Sequence, residues 1–226
     1  MDGADRDLRG ITRIVLRPFA SALPLGFFGF GMGVAIVTAY GYGIVPPSDH
    51  VAAGLMMLAF AAPLEIAAAV FALLSRDAAA ASAMGIFAAS WVVNGATYVS
   101  TAQIAPDPAS GVFTAMISLY LIGLCAISFR GKPMLGVFLV LATVRAIADA
   151  VMEFGGPPLA GEIMNGCGVL LVLASLYGGF AFLIEDVQHR ELLPVFRRGQ
   201  AKAAMQGGLA AQLRDIDREA GVRTQL

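Results

Sequence analysis

The sequence predicts an all-α membrane protein with six transmembrane helices and both termini in the cytoplasm. Three observations carry that expectation. Apolar residues make up 58% of the chain, charged residues only 14%, and mean hydropathy is +0.76. A soluble domain carries about 25% charged residues. The apolar residues form six long runs without strand alternation, each near the ~20 residues with which a helix crosses ~30 Å of hydrocarbon. Of the 15 Lys and Arg residues, only Arg145 lies inside a run, and the rest fall on alternate connections. By the positive-inside rule those connections and both termini are cytoplasmic.

Residues 1–20 form a polar arm carrying Arg6, Arg9, Arg13 and Arg17. The first apolar run is too long for the core of a cleavable signal peptide, and no small-residue cleavage site follows a short one. The transmembrane domain is expected over 21–185. Its first span, 23–45, stops at Pro46 and Pro47; the second, 51–74, ends at Ser75, Arg76 and Asp77; the third, 78–102, exits through Pro106 and Pro108. The fourth, 110–129, ends at Arg130 to Pro133. The fifth, 134–154, breaks at Gly155 to Pro158, and the sixth covers 161–184. Proline, glycine and charge punctuate every break. In the tail, 186–226, Leu209, Leu213 and Ile216 recur at helical spacing after Gly207 and Gly208. That pattern reads as a short amphipathic helix or a solvated tail.

The first span opens on an unusual stretch, with Gly26, Gly29, Gly31 and Gly33 interleaved with Phe27, Phe28 and Phe30. Glycine is a poor helix former in water, but in a bilayer it lets a neighbouring backbone approach closely. Gly29 and Gly33, four apart, are expected to share one such face, and with Pro24, Gly26 and Gly31 they are the helix-packing candidates. The spacing of these glycines lacks the preceding strand that a phosphate-binding loop needs.

Polar chemistry is sparse. Cys125 and Cys167 sit inside apolar runs and read as small hydrophobes. His50, in an external loop, and His189, in the tail, lie on opposite sides of the bilayer. No zinc cluster, Ser–His pair, catalytic residue, metal or cofactor is therefore expected, and the chain does not read as an enzyme. Nothing in it points to nucleic acid.

Glu65, Arg145, Asp149 and Glu153 fall within or near spans, where each charge costs about 2.5–3.5 kcal/mol at a helix centre. Arg145 and Asp149 are four apart and share a face. Two readings stand: an ion pair that fixes packing, joined by Glu65 if the helices adjoin, or a polar point in a solute path. Asn94, Thr97 and Tyr98 in the third span, Thr143 in the fifth, and Ser175 with Tyr177 in the sixth are candidates for interhelical hydrogen bonds. Trp91 is mid-span and expected inside the bundle.

The stretch Leu23-Pro24-Leu25-Gly26-Phe27-Phe28-Gly29-Phe30-Gly31-Met32 resembles the N-P-x-P-L-G-L-x-G-F-G-M signature of the acetate uptake transporter family. Phe87-Ala88-Ala89-Ser90-Trp91 is similar to its third-span aromatic stretch, Ala174-Ser175-Leu176-Tyr177 to its sixth-span stretch, and Leu193-Pro194 to the L-P that follows. The resemblance covers about 20–196. It implies a multi-pass inner-membrane protein, a homo-hexamer whose protomers each carry a narrow, proton-linked path for small monocarboxylates such as acetate. It also implies a constriction at Phe30, Phe87 and Ala142, and a solute contact near Ser21; from their own chemistry, Glu65, Asn94, Thr143, Arg145, Asp149 and Tyr177 are further candidates for solute or proton contacts. Ser21 and Ala22 stand where the signature has asparagine and proline, Glu65 replaces a glutamine, and Ala72 a carboxylate. Arg145 and Asp149 are charges at positions the family fills with apolar residues, and Ala142 removes bulk from the constriction. The solute thus stays open between acetate and another small polar species. A transport-inactive scaffold acting through its tail is the other reading.

Overall fold

The computed structural model describes residues 20–100, 106–188, 190–199 and 202. Six helices long and apolar enough to cross a membrane follow one another: α1 Leu23–Gly41, α2 Pro47–Leu74, α3 Ala78–Ser100, α4 Pro108–Gly131, α5 Pro133–Glu153 and α6 Pro158–Gln188. The arginines of the amino-terminal arm, His189 and the Leu209, Leu213, Ile216 pattern lie outside the described residues.

Several prolines expected to break spans instead begin helices. Pro47, Pro108, Pro133 and Pro158, like Pro24 within the first span, stand in first turns, where the missing N–H has no partner to lose. Asp107 caps α4, accepting from the Ala109 and Ser110 N–H groups at 3.1 and 3.3 Å. These contacts, that of Ala109 first, hold its carboxyl below the usual range. The first span ends four residues earlier than expected, at Gly41, because the chain turns through Gly43 at φ +69°, a left-handed conformation open to glycine.

The second span is continuous but not regular. A π-helical turn occupies Met57–Ala61, immediately before Pro63. Pro63 cannot donate to the carbonyl four residues back, and its ring pushes that carbonyl away; widening the preceding turn accommodates both effects.

The helices close a ring. α1 packs on α2 and α6, α2 on α3, and α5 on α4 and α6, while the α3–α4 joint is the thinnest. Loops gather at one end: Lys132 pairs with Asp77, and the Arg198 N–H donates to the Gly131 carbonyl at 2.9 Å. The described basic residues Arg76, Arg130, Lys132, Arg197 and Arg198 therefore share that end.

The glycines of the opening stretch serve different neighbours. A Cβ at residue 29 would lie 2.9 Å from Leu64 Cβ on α2, one at 31 would meet Ser175 on α6 at 2.8 Å, and one at 33 would press on the Trp91 indole of α3 at 2.7 Å. The shared face expected for Gly29 and Gly33 is thus divided between two helices. The backbone-to-backbone approach lies elsewhere, between Gly54 of α2 and Gly95 of α3. A Cβ at 54 would stand 2.6 Å from the Gly95 carbonyl oxygen. A backbone oxygen cannot swing aside, so Gly54→Ala is expected to destabilise the protein by about 1–3 kcal/mol. Gly85→Ala, whose added Cβ would meet nothing closer than 4.0 Å, is the control. Equal unfolding curves for the two variants in detergent would contradict the assignment.

Candidate functional site

Rings from three helices meet at the centre of the bundle. Phe30 of α1 lies 4.6 Å from Phe87 of α3, 5.4 Å from Trp91 and 4.8 Å from Phe138 of α5, centroid to centroid. Phe87 and Phe138 close the triangle at 6.0 Å, with planes at 82°. These tilted and edge-to-face contacts leave the rings buried against one another. Phe30 and Phe87 were the expected constriction residues. Ala142 is buried as well, but one turn from the rings, and Phe138, four residues before it, supplies the third ring. Sequence reasoning missed Phe138. Its only signal was its place on the same helical face as Ala142.

That face continues. Phe138, Ala142, Arg145 and Asp149 follow at intervals of four, three and four along α5, and Phe87, Trp91, Asn94 and Tyr98 repeat the same intervals along α3. Each set forms one stripe. The two stripes meet at the ring contact of Phe87 with Phe138. Tyr98 is held by its ring contact with Tyr40 of α1 at 5.0 Å, and its carbonyl approaches the His50 Nδ1 at 2.6 Å. Among the described residues the close ion pairs are Lys132–Asp77 and Arg197–Glu185; Arg145 and Asp149 do not close one. The buried Arg145 Nε has no hydrogen-bond partner. Glu153, at the end of α5, accepts from the Asp107 N–H at 2.7 Å.

Glu65 stands apart from that pair. It projects from α2 towards Gly29 of α1, is wholly buried, and neither of its oxygens has a hydrogen-bond partner. Among the described residues no hydrogen bond or ion pair joins Glu65 to Arg145 or Asp149. The Ser175 hydroxyl, buried against Gly31, is likewise unpartnered.

Three expected contacts are not brought to the rings. Thr143 donates to the Leu139 carbonyl at 2.7 Å and faces Cys125 of α4. A threonine hydroxyl in a helix readily returns to the preceding turn, and this one is satisfied there. Tyr177 is on the outside of α6, its hydroxyl donating to the Pro194 carbonyl at 2.9 Å. Ser21 precedes α1, more than two turns before Phe30.

The chain after α6, expected to begin a separate tail, folds back on the bundle. Val195 is fully buried, and the Glu191 carboxylate accepts from the Val195 and Phe196 N–H groups at 2.7 and 3.1 Å. Arg197 Nε donates to both Glu185 oxygens at 2.7 and 2.9 Å, and Nη2 adds a contact of 2.5 Å. The guanidinium lies 5.4 Å from the Phe182 ring centroid. Phe182 contacts Phe27 at 5.6 Å, and Phe27 contacts Phe138 at 4.8 Å. A continuous aromatic column thus joins this hook to the ring triangle.

No family model and no curated protein matches the sequence. A solved structure does match: that of the bacterial acetate channel SatP, with a TM-score of 0.67 and 17% identity, covering 78% of this chain and 99% of that one. The two share a fold. This agrees with the six spans read from hydropathy.

Proposed function

We propose that the chain is a membrane channel or transporter for small monocarboxylates, with acetate-like solutes passing the constriction of Phe30, Phe87 and Phe138. The observation that carries this reading is the ring triangle itself, set at the centre of a helical ring that has the fold of an acetate channel. The path is apolar and narrow at that level, which suits a small acid crossing with little hydration. Proton linkage is assigned to Glu65: an ionised carboxylate buried without a partner is costly, and a proton removes the cost. The end that gathers the basic loops is placed in the cytoplasm of an inner membrane. The protein is proposed to be a homo-oligomer, a hexamer by resemblance.

Proteoliposomes holding the full chain should take up labelled acetate faster than empty ones, and faster still under an inward proton gradient. Glu65→Gln should abolish the gradient effect. Absence of acetate, lactate and succinate uptake under every gradient would overturn the carboxylate assignment.

A further inference from the structure

On the far side of the constriction from the hook lies a charged pair that the acetate reading does not use. Phe138 fixes the inward direction of α5 through its contacts with Phe30 and Phe87. Arg145 and Asp149, on the same stripe, stand roughly 10 and 16 Å further along the axis at 1.5 Å per residue. Ala142, buried and small, separates them from the rings. We propose that Arg145 and Asp149 form a docking site for small zwitterionic amino acids, the solute's carboxylate on Arg145 and its ammonium on Asp149. This rests on the reading that the chain passes small solutes, and it names their class.

Two features point to a ligand bearing both charges. First, the two side chains close no ion pair although four residues apart on one helix, and the buried Arg145 Nε has no hydrogen-bond partner. In a medium of low dielectric each charge then demands a counter-charge. Second, a simple monocarboxylate would satisfy Arg145 while standing beside the Asp149 carboxylate, a like-charge contact that works against binding. An amino acid meets both groups. Side chains at this interval have Cβ atoms about 5–6 Å apart, a span that fits the short separation of carboxylate and ammonium in glycine or β-alanine. The planar fork of arginine suits the carboxylate end. Tyr98, in ring contact with Tyr40, ends the matching stripe on α3.

Labelled glycine and labelled acetate, each added to proteoliposomes of the full chain, distinguish the ideas. Wild-type protein should take up glycine faster than acetate. Asp149→Asn should lower the ratio of glycine to acetate uptake at least tenfold, and Asp149→Glu should restore most of it; Arg145→Gln should slow both solutes. Unfolding curves in detergent confirm that each variant is folded, and protection of the wild-type protein by glycine against heat gives a second readout. Acetate uptake without glycine uptake or protection would overturn this inference and leave the carboxylate reading intact. Glycine uptake without acetate, lactate or succinate uptake would sustain it and overturn the carboxylate reading. A ratio unmoved by Asp149→Asn would also overturn it, and uptake of neither solute would remove both.

Discussion

Arg197→Ala should destabilise the folded protein by about 3–5 kcal/mol, the loss expected when one partner of a buried ion pair is removed and the other charge remains. Glu185 and Arg197 keep 3% and 8% of their side-chain surface exposed, which puts the pair in that class rather than among surface bridges worth 0–1 kcal/mol. The guanidinium is held by three hydrogen-bond contacts and by the Phe182 ring, so Arg197→Lys, which cannot form the fork, should recover only part of the loss. The decisive comparison is the double variant Glu185→Leu with Arg197→Met. With no orphaned charge it should be more stable than either single change. Reversible unfolding in mixed micelles measures the wild type, Arg197→Ala, Arg197→Lys, the single changes Glu185→Leu and Arg197→Met, and the double variant. A double variant as weak as Arg197→Ala would mean that the hook holds by its fold rather than by this pair.

The spans were legible because charge and proline mark where a chain leaves hydrocarbon, and that signal does not depend on neighbours. The interior of the bundle was harder to read. In a bilayer the lipid-facing and core-facing sides of a helix are both apolar, so no periodicity says whether Phe138 or Leu141 turns inward. Phe30 and Phe87 were found through motif resemblance. Phe138 became visible only when α1 and α3 were set against α5. Glu65 was conspicuous as a charge in an apolar run, yet nothing in the sequence says that it has no partner or that Pro63 widens the turn before it. The hook was opaque for a different reason. Glu185 and Arg197 are twelve residues apart across the end of a helix, and no helical or strand spacing joins them. Fold similarity to a channel carries the architecture, and the departures at Glu65, Arg145 and Asp149 carry whatever is particular to this chain.

Phe138→Ala should raise solute flux about tenfold or more if the ring triangle is the barrier. Phe138 makes ring contacts with Phe27, Phe30 and Phe87, at 4.8, 4.8 and 6.0 Å. Each such contact is worth about 0.5–1.5 kcal/mol, and a solute that parts the rings must break them. Removing three together lowers the opening cost by more than the ~1.4 kcal/mol that corresponds to a tenfold change in rate. The same substitution should also cost about 3–5 kcal/mol of stability, since Phe138 is 1% exposed and its loss leaves a cavity. The two effects separate in experiment: flux is measured per folded protein in proteoliposomes, stability by unfolding in detergent. Longer acids such as butyrate should gain more than acetate, because the ring excludes by size. Ala142→Phe works in the opposite sense, adding a ring one turn beyond and slowing every solute. A folded Phe138→Ala protein that passes acetate and butyrate at the wild-type rate would place the barrier elsewhere, with the Glu185–Arg197 hook at the end of the same aromatic column as the next candidate.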